Sequence, residues 1–137
     1  MKEDRELVIR AVAEDIPKAV EFIGMTLRSF GISSRKALGV ELAVEEACTN
    51  VVLHGYRGEG GYIKISCSSS DSRIAVNLED AGVTFDPTKR PGPNLVDDVD
   101  KRPIGGLGIY LIRSFVDGLG YEFKDGKNNL AMEINRS

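Results

Sequence analysis

The stretch "YIKISCSSSDSRIAVNLED", residues 62 to 80, alternates apolar and polar side chains through two runs separated by a Ser/Asp turn. That period of two limits the fold more than any other feature of the chain. Successive side chains of a strand point to opposite faces, so the alternation describes an antiparallel hairpin with one apolar face to cover and one polar face left to water. Such a sheet needs a second layer on one side only.

Helical segments supply that layer. Ile16, Val20, Ile23, Leu27 and Phe30 recur at helical spacing behind Asp15 and Pro17, a helix-start signal, and Gly31 stops the run. "SSRKALGVELAVEEACTNVVLHGY" comes next, opening on a serine cap at Ser33 or Ser34 and expected to close at Gly55 in the left-handed conformation. "ELVIRAV" (6 to 12) reads as an edge strand. "GGLGIYLIRSFVD" reads as a third helix through Phe115 and Val116, and "YEFKDGKNNLAMEI" as a final strand pair turned around Asp125 and Gly126. Phe85 to Gly105 hold four of the five prolines and fit no regular element, as expected of a functional lid or loop. The order β-α-α-β-β-lid-α-β-β predicts an α+β, two-layer sandwich of about three helices on a mixed, largely antiparallel four- to five-stranded sheet. One domain is expected over residues 1–137, with the lid at about 86–105.

Charge and composition remove several classes of function. Lys+Arg 18 against Asp+Glu 21 leaves a net charge of -3, which gives no long-range attraction to nucleic acid or to a membrane surface. The N-terminus is charged from its second residue and has no apolar run of signal-peptide length. Nowhere does the sequence approach the ~20 apolar residues of a membrane span. Two cysteines, Cys48 and Cys67, are too few for a disulfide or zinc framework. A reducing, cytoplasmic setting is the expectation.

Three places break the apolar pattern. On a wheel of the second helix, Val40, Val44, Ala47 and Val51 form the main apolar face, Glu41, Glu45 and Thr49 one polar stripe, and Glu46, Asn50 and His54 another, about 140° from the first. The second stripe is flanked by Gly39, Ala43 and Ala47, small residues that leave volume beside it, which fits a pocket wall; a solvated helix side is the alternative. In "RIAVNLED", Asp80 continues the row of Ile74, Val76 and Leu78. A carboxylate there needs donors, either the amine of a nucleobase or the backbone of a tight turn. Gly82 lacks the side chain that would keep a flat ring off the backbone. Gly105, Gly106 and Gly108 open the third helix, where amides and flexibility make a phosphate cradle or a simple hinge. No G-K-[ST] comes after them, which excludes a Walker loop.

Taken in order, E-x-x-x-N on a helix, D-x-G after a strand, a long lid and G-x-G opening a helix resemble the GHKL ATPase superfamily with its Bergerat fold. "EEACTNVVLHGY" stands as the N box, "DAGVTFDP" as the first glycine box and "GGLGIYLI" as the second. "VEEACTNVVLHGY", "FDPT" and "IGGLGIYLIRSFVD" are similar to the bacterial anti-sigma-factor serine/threonine kinases. No dimerisation helix with a phosphoacceptor histidine precedes the domain, so a complete sensor histidine kinase is not expected.

The resemblance implies ATP and Mg²⁺ as cofactors, with Asn50 on the metal and Glu46 as general base. It implies that Asp80, helped by Gly82, meets the adenine amine, and that Gly105, Gly106, Leu107 and Gly108 line the phosphates. It further implies a homodimer formed through the N-terminal part, a sigma factor as partner and a small anti-sigma-factor antagonist as phosphorylation substrate. A non-catalytic ATP-responsive switch and a plain ATP hydrolase are the alternative functions. Lys89, Arg90, Lys101 and Arg102 in the lid read as solvated charges. The sequence departs from the family pattern at Thr84, where a second glycine is common, and in "KNNLAMEI", which lacks a threonine that many relatives place near the adenine edge.

Overall fold

The computed structural model describes residues 3–89 and 106–136. Five strands, β1 (Glu3–Arg10), β2 (Tyr62–Ser69), β3 (Arg73–Asp80), β4 (Gly118–Lys124) and β5 (Lys127–Asn135), form one sheet in the order β1-β2-β3-β5-β4. Every neighbouring pair is antiparallel, so the sheet is not mixed. The described residues also form three α-helices, α1 (Ile16–Ser29), α2 (Ser34–Asn50) and α3 (Gly106–Phe115), with α2 in contact with both others.

The alternation in residues 62 to 80 sets which face is covered. Ile63, Ile65 and Cys67 of β2 and Ile74, Val76 and Leu78 of β3 are buried together with Met132 and Ile134 of β5. Ile23 and Leu27 of α1, Val40 and Val44 of α2, and Ile109 and Ile112 of α3 belong to the same buried cluster. Each such side chain contributes about 1.5–3 kcal/mol on leaving water. Arg73 and Ala75, the intervening residues of β3, are exposed on the opposite face. Among the described residues no element packs on that face to reward apolar groups.

Local chemistry fixes the element ends. Ser33 caps α2 by accepting from the Lys36 amide at 3.2 Å. Asp15 precedes α1 without capping it, because its carboxylate turns to Arg10 instead. β1 begins at Glu3, three residues earlier than its apolar run, since the charged segment "EDRE" pairs with Ser66 to Ser69 along an edge that water can reach. It also ends at Arg10, after which the Ala11 amide turns to the Gly61 carbonyl at 2.8 Å. Asp125 and Gly126, with φ of 56° and 76°, make the tight turn between β4 and β5.

The end of α2 departs from expectation. Residues Val51–Gly55 continue the helix as a π turn, with the Tyr56 amide reaching back to the Val51 carbonyl at 2.9 Å. Gly55 is not the left-handed residue; Arg57 (φ 54°) and Gly58 (φ 80°) take that role. A π turn holds one more residue than a regular turn and commonly marks a functional position.

Candidate functional site

The π turn brings α2 against the loop after β3. The Val83 amide donates to the Gly55 carbonyl at 2.9 Å, and a Cβ added to Gly82 would lie 2.5 Å from that carbonyl. Gly82 is therefore needed for the close approach of another backbone.

Above this junction lies a narrow cleft lined by residues of α2, the π turn, β3, β4 and β5, with Phe85 and Pro87 at its side. Asn50 and Asp80, carried by different elements, both line it. Asn50 is 6% exposed, and no hydrogen bond engages its carboxamide among the described residues. Its polar atoms are not sealed from solvent, so water or a ligand in the cleft can meet them.

Asp80 is 4% exposed. Its Oδ1 accepts from the Gly82 amide at 2.9 Å and from Asn128 Nδ2 at 3.0 Å, while Oδ2 has no hydrogen bond among the described residues. Burial raises its pKa above the ordinary carboxylate value, the Gly82 and Asn128 donors oppose that rise, and Glu79 adds to it. The turn-capping and ligand-facing readings of Asp80 thus apply to different oxygens of one group.

Glu46 stands one turn before Asn50 on α2, half-buried and outside the residues that line the cleft. Loss of water and then the neighbouring Glu45 charge raise its pKa. The direction of that shift makes the carboxylate a stronger proton acceptor than an ordinary glutamate. Phe115 of α3 fills the space where a Gly39 side chain would stand, 2.5 Å from an added Cβ, and the surface pocket that Gly39 lines shares no residue with the cleft. Ala47, at the other end of the small-residue row, borders the cleft.

Gly106, Leu107 and Gly108 form the first turn of α3. Gly105, Arg90, Lys101, Arg102 and most of the expected lid lie outside the described residues. Arg113 of α3 donates to the Thr88 carbonyl, so the segment leaving the cleft sits against the helix on which the described chain resumes. His54 stacks on Phe85 with ring centroids 4.9 Å apart.

Sequence reasoning missed three residues here. Asn128 is the cross-strand partner of Asp80 and is 4% exposed. Tyr121 lines the cleft and donates its hydroxyl to Asn128 Oδ1. The Tyr56 hydroxyl donates to the Tyr62 carbonyl at 2.7 Å and accepts from the Ala81 amide at 2.7 Å, fixing the chain as it leaves β3. Antiparallel pairing of "RIAVNLED" with "KNNLAMEIN" would have placed Asn128 opposite Asp80; the tyrosines carry no comparable signal.

The chain belongs to the histidine kinase-like ATPase domain family, whose model matches residues 9–134. Among characterised relatives, it is 30% identical over 101 residues to the serine/threonine-protein kinase BtrW of Bordetella bronchiseptica, covering 73% of this chain and 71% of that protein. It is also 30% identical over 122 residues to the serine-protein kinase RsbW of Bacillus thuringiensis, covering 81% and 76% respectively. The fold resembles that of the RsbU and RsbW domains of Rv1364c from Mycobacterium tuberculosis, with a TM-score of 0.67 at 13% identity, over 98% of this chain and 33% of that one. A second likeness, at TM-score 0.51 and 18% identity, is to the Acinetobacter baumannii histidine kinase AdeS, over 97% of this chain and 68% of that one. No helix among the described residues is long and apolar enough to cross a membrane.

Proposed function

We propose that the protein is a Mg·ATP-dependent serine/threonine protein kinase that acts as an anti-sigma factor. On this reading it binds a sigma factor, phosphorylates a small antagonist protein and functions as a cytoplasmic homodimer. The observation that carries the reading is Asn50, whose carboxamide makes no hydrogen bond among the described residues and lines one cleft with the ionisable Asp80.

The donor set suits magnesium. Asn50 offers a hard carbonyl oxygen, and no group of three or more His, Cys, Asp or Glu among the described residues forms a cage of its own. Mg²⁺ commonly binds through few protein oxygens and completes its shell with phosphates and water, so it would enter with the nucleotide and neutralise phosphate charge. Asp80 Oδ2 would accept from the amine of the adenine. Glu46, a turn from Asn50 and more basic than an ordinary glutamate, would take the proton of the attacking seryl or threonyl hydroxyl. Gly105 to Gly108 would offer amides to the phosphates.

Incubation with [γ-³²P]ATP, Mg²⁺ and the cognate antagonist tests this. Label is expected on a serine or threonine of the antagonist, and Glu46→Gln should slow transfer by about 10²–10⁴-fold while nucleotide still binds. Unimpaired transfer by Glu46→Gln would remove Glu46 from the chemistry. Partner affinity that changes with ATP in the absence of any transfer would make the protein a binding switch, and phosphate release without an acceptor would make it a hydrolase.

A further inference from the structure

The carboxamide of Asn128 has every hydrogen-bonding position engaged. Nδ2 donates to Asp80 Oδ1 at 3.0 Å, the Val83 carbonyl at 3.0 Å and the Gly82 carbonyl at 3.2 Å. Two hydrogens serve three acceptors, so at least one is shared. Oδ1 accepts from the Phe85 amide at 3.2 Å and from the Tyr121 hydroxyl. Both lone pairs of that oxygen are thereby used.

These bonds join three elements. Asn128 lies on β5 directly opposite Asp80 of β3, holds the loop from Gly82 to Phe85 at three points, and is tied to β4 through Tyr121. A primary amide is suited to this because it carries two donors and an acceptor with two lone pairs. A carboxylate would face Asp80 with like charge, and a hydroxyl would have a single donor.

The consequence falls on Asp80. Its Oδ1 is occupied by Gly82 and Asn128, and Oδ2 is left as a lone acceptor on a carboxylate whose rotation is fixed. Resting on the nucleotide-binding function proposed above, we infer that Asn128 is a positioning residue that makes this site discriminate a 6-amino purine from a 6-oxo purine. It touches no ligand itself, since nothing on it remains to be offered. It acts by keeping Asp80 oriented and in the acceptor form. A held carboxylate oxygen takes a charge-assisted hydrogen bond from a ring amine and repels a ring carbonyl. Without the Asn128 donor, only the Gly82 amide holds Asp80, which turns and takes a proton more readily, and a protonated carboxyl donates to a carbonyl oxygen.

Three Mg²⁺-loaded nucleotides separate these effects in calorimetric titrations: ATP, ITP with an oxo group in place of the amine, and purine riboside triphosphate with neither. The wild-type protein should favour ATP over the unsubstituted nucleotide by about 10–100-fold, the worth of one hydrogen bond to a charged group, and should bind ITP more weakly still. In Asn128→Ala the preference of ATP over ITP should shrink by at least about tenfold, while affinity for the unsubstituted nucleotide changes much less. Asn128→Thr keeps one donor and one acceptor in a residue suited to a strand, and should give an intermediate preference. This second variant decides the matter if circular dichroism shows that the alanine variant does not fold.

An equal loss of affinity for all three nucleotides would reduce Asn128 to a structural role and overturn the inference. So would an unchanged ATP-to-ITP preference in folded variants. A wild-type protein that binds none of the three would instead refute the nucleotide-binding function, and this inference with it.

Discussion

Two buried carboxylates, Asp15 and Asp80, have opposite surroundings. Each is 4% exposed. Asp15 receives the Arg10 guanidinium at 3.0 and 3.1 Å, the Arg10 amide at 3.1 Å and the Lys18 ammonium at 3.3 Å. The hydrogen bond from Arg10 dominates and holds its pKa well below the ordinary carboxylate value. Asp80 is met by neutral donors on one oxygen only, and burial moves its pKa the other way. Burial alone therefore does not separate a structural acid from one proposed to meet a ligand. The two acids differ in the sign of the shift and in the oxygen that Asp80 leaves unused.

The largest expected effect is on ligand binding at Asp80. Asp80→Asn should weaken ATP binding by about 10–100-fold, measured by titration calorimetry, because the charged acceptor for the amine is lost. The same change should leave the melting temperature of the nucleotide-free protein unchanged or higher, since the new side chain can keep the Oδ1 bonds without a buried charge. Asp15→Asn should do the converse, lowering the melting temperature while ATP affinity stays near wild type. A fall in ATP affinity with Asp15→Asn comparable to that with Asp80→Asn would erase the contrast.

Next in size is the junction beneath Asp80. Gly82→Ala should lose about 1–3 kcal/mol in chemical denaturation, as the added methyl must separate two backbones that now touch. Wild-type stability would mean that Gly55 and the loop can part without penalty, and that Asp80 is less firmly held than Asp15.

The two acids should also differ with pH. A folded-state pKa above the unfolded value means that protonated Asp80 favours folding, a contribution present below the unfolded pKa of about 4 and lost as pH rises through the folded value. The stability advantage of Asp80→Asn should then appear as pH rises from about 4. Asp15 has the reverse sign: its contribution is complete above about 4 and is lost as pH falls towards its lowered value, so the deficit of Asp15→Asn should shrink in acid. Melting curves across the acid range check both slopes, and parallel slopes would contradict the assignment. The smallest effect belongs to Tyr56→Phe, which should cost about 1 kcal/mol by removing a hydroxyl that serves the Ala81 and Tyr62 backbone.

The periodic parts of this architecture were open to sequence reading because period and burial are the same fact seen twice. The row Ile74, Val76, Leu78 and Asp80 faces the helices as its spacing requires, and the Asn50 side of α2 proved to be a pocket wall at its cleft end. Glu46, on the same stripe, is half-buried beyond that lining. What escaped was set by non-local geometry. The first residues of β1 are too charged to look like a strand, and become one through pairing with β2. Gly118 to Gly120 of β4 lie outside the expected final strand because glycine carries no alternation to read. Asn128 was legible only as part of a departure from a family pattern, since its importance comes from the register that puts it opposite Asp80.

The widened turn at Val51–Gly55 bears on which changes of chain length the protein can survive. Removing a single residue from it would restore ordinary helical pitch, and would rotate the chain beyond Gly55 by about 100° and retract it by about 1.5 Å. The Gly55 carbonyl would then miss the Val83 amide, and the mouth of the cleft would lose its register even with every functional side chain retained. Side-chain replacements at Leu53, which is half exposed, should be well tolerated there, whereas a one-codon deletion should not.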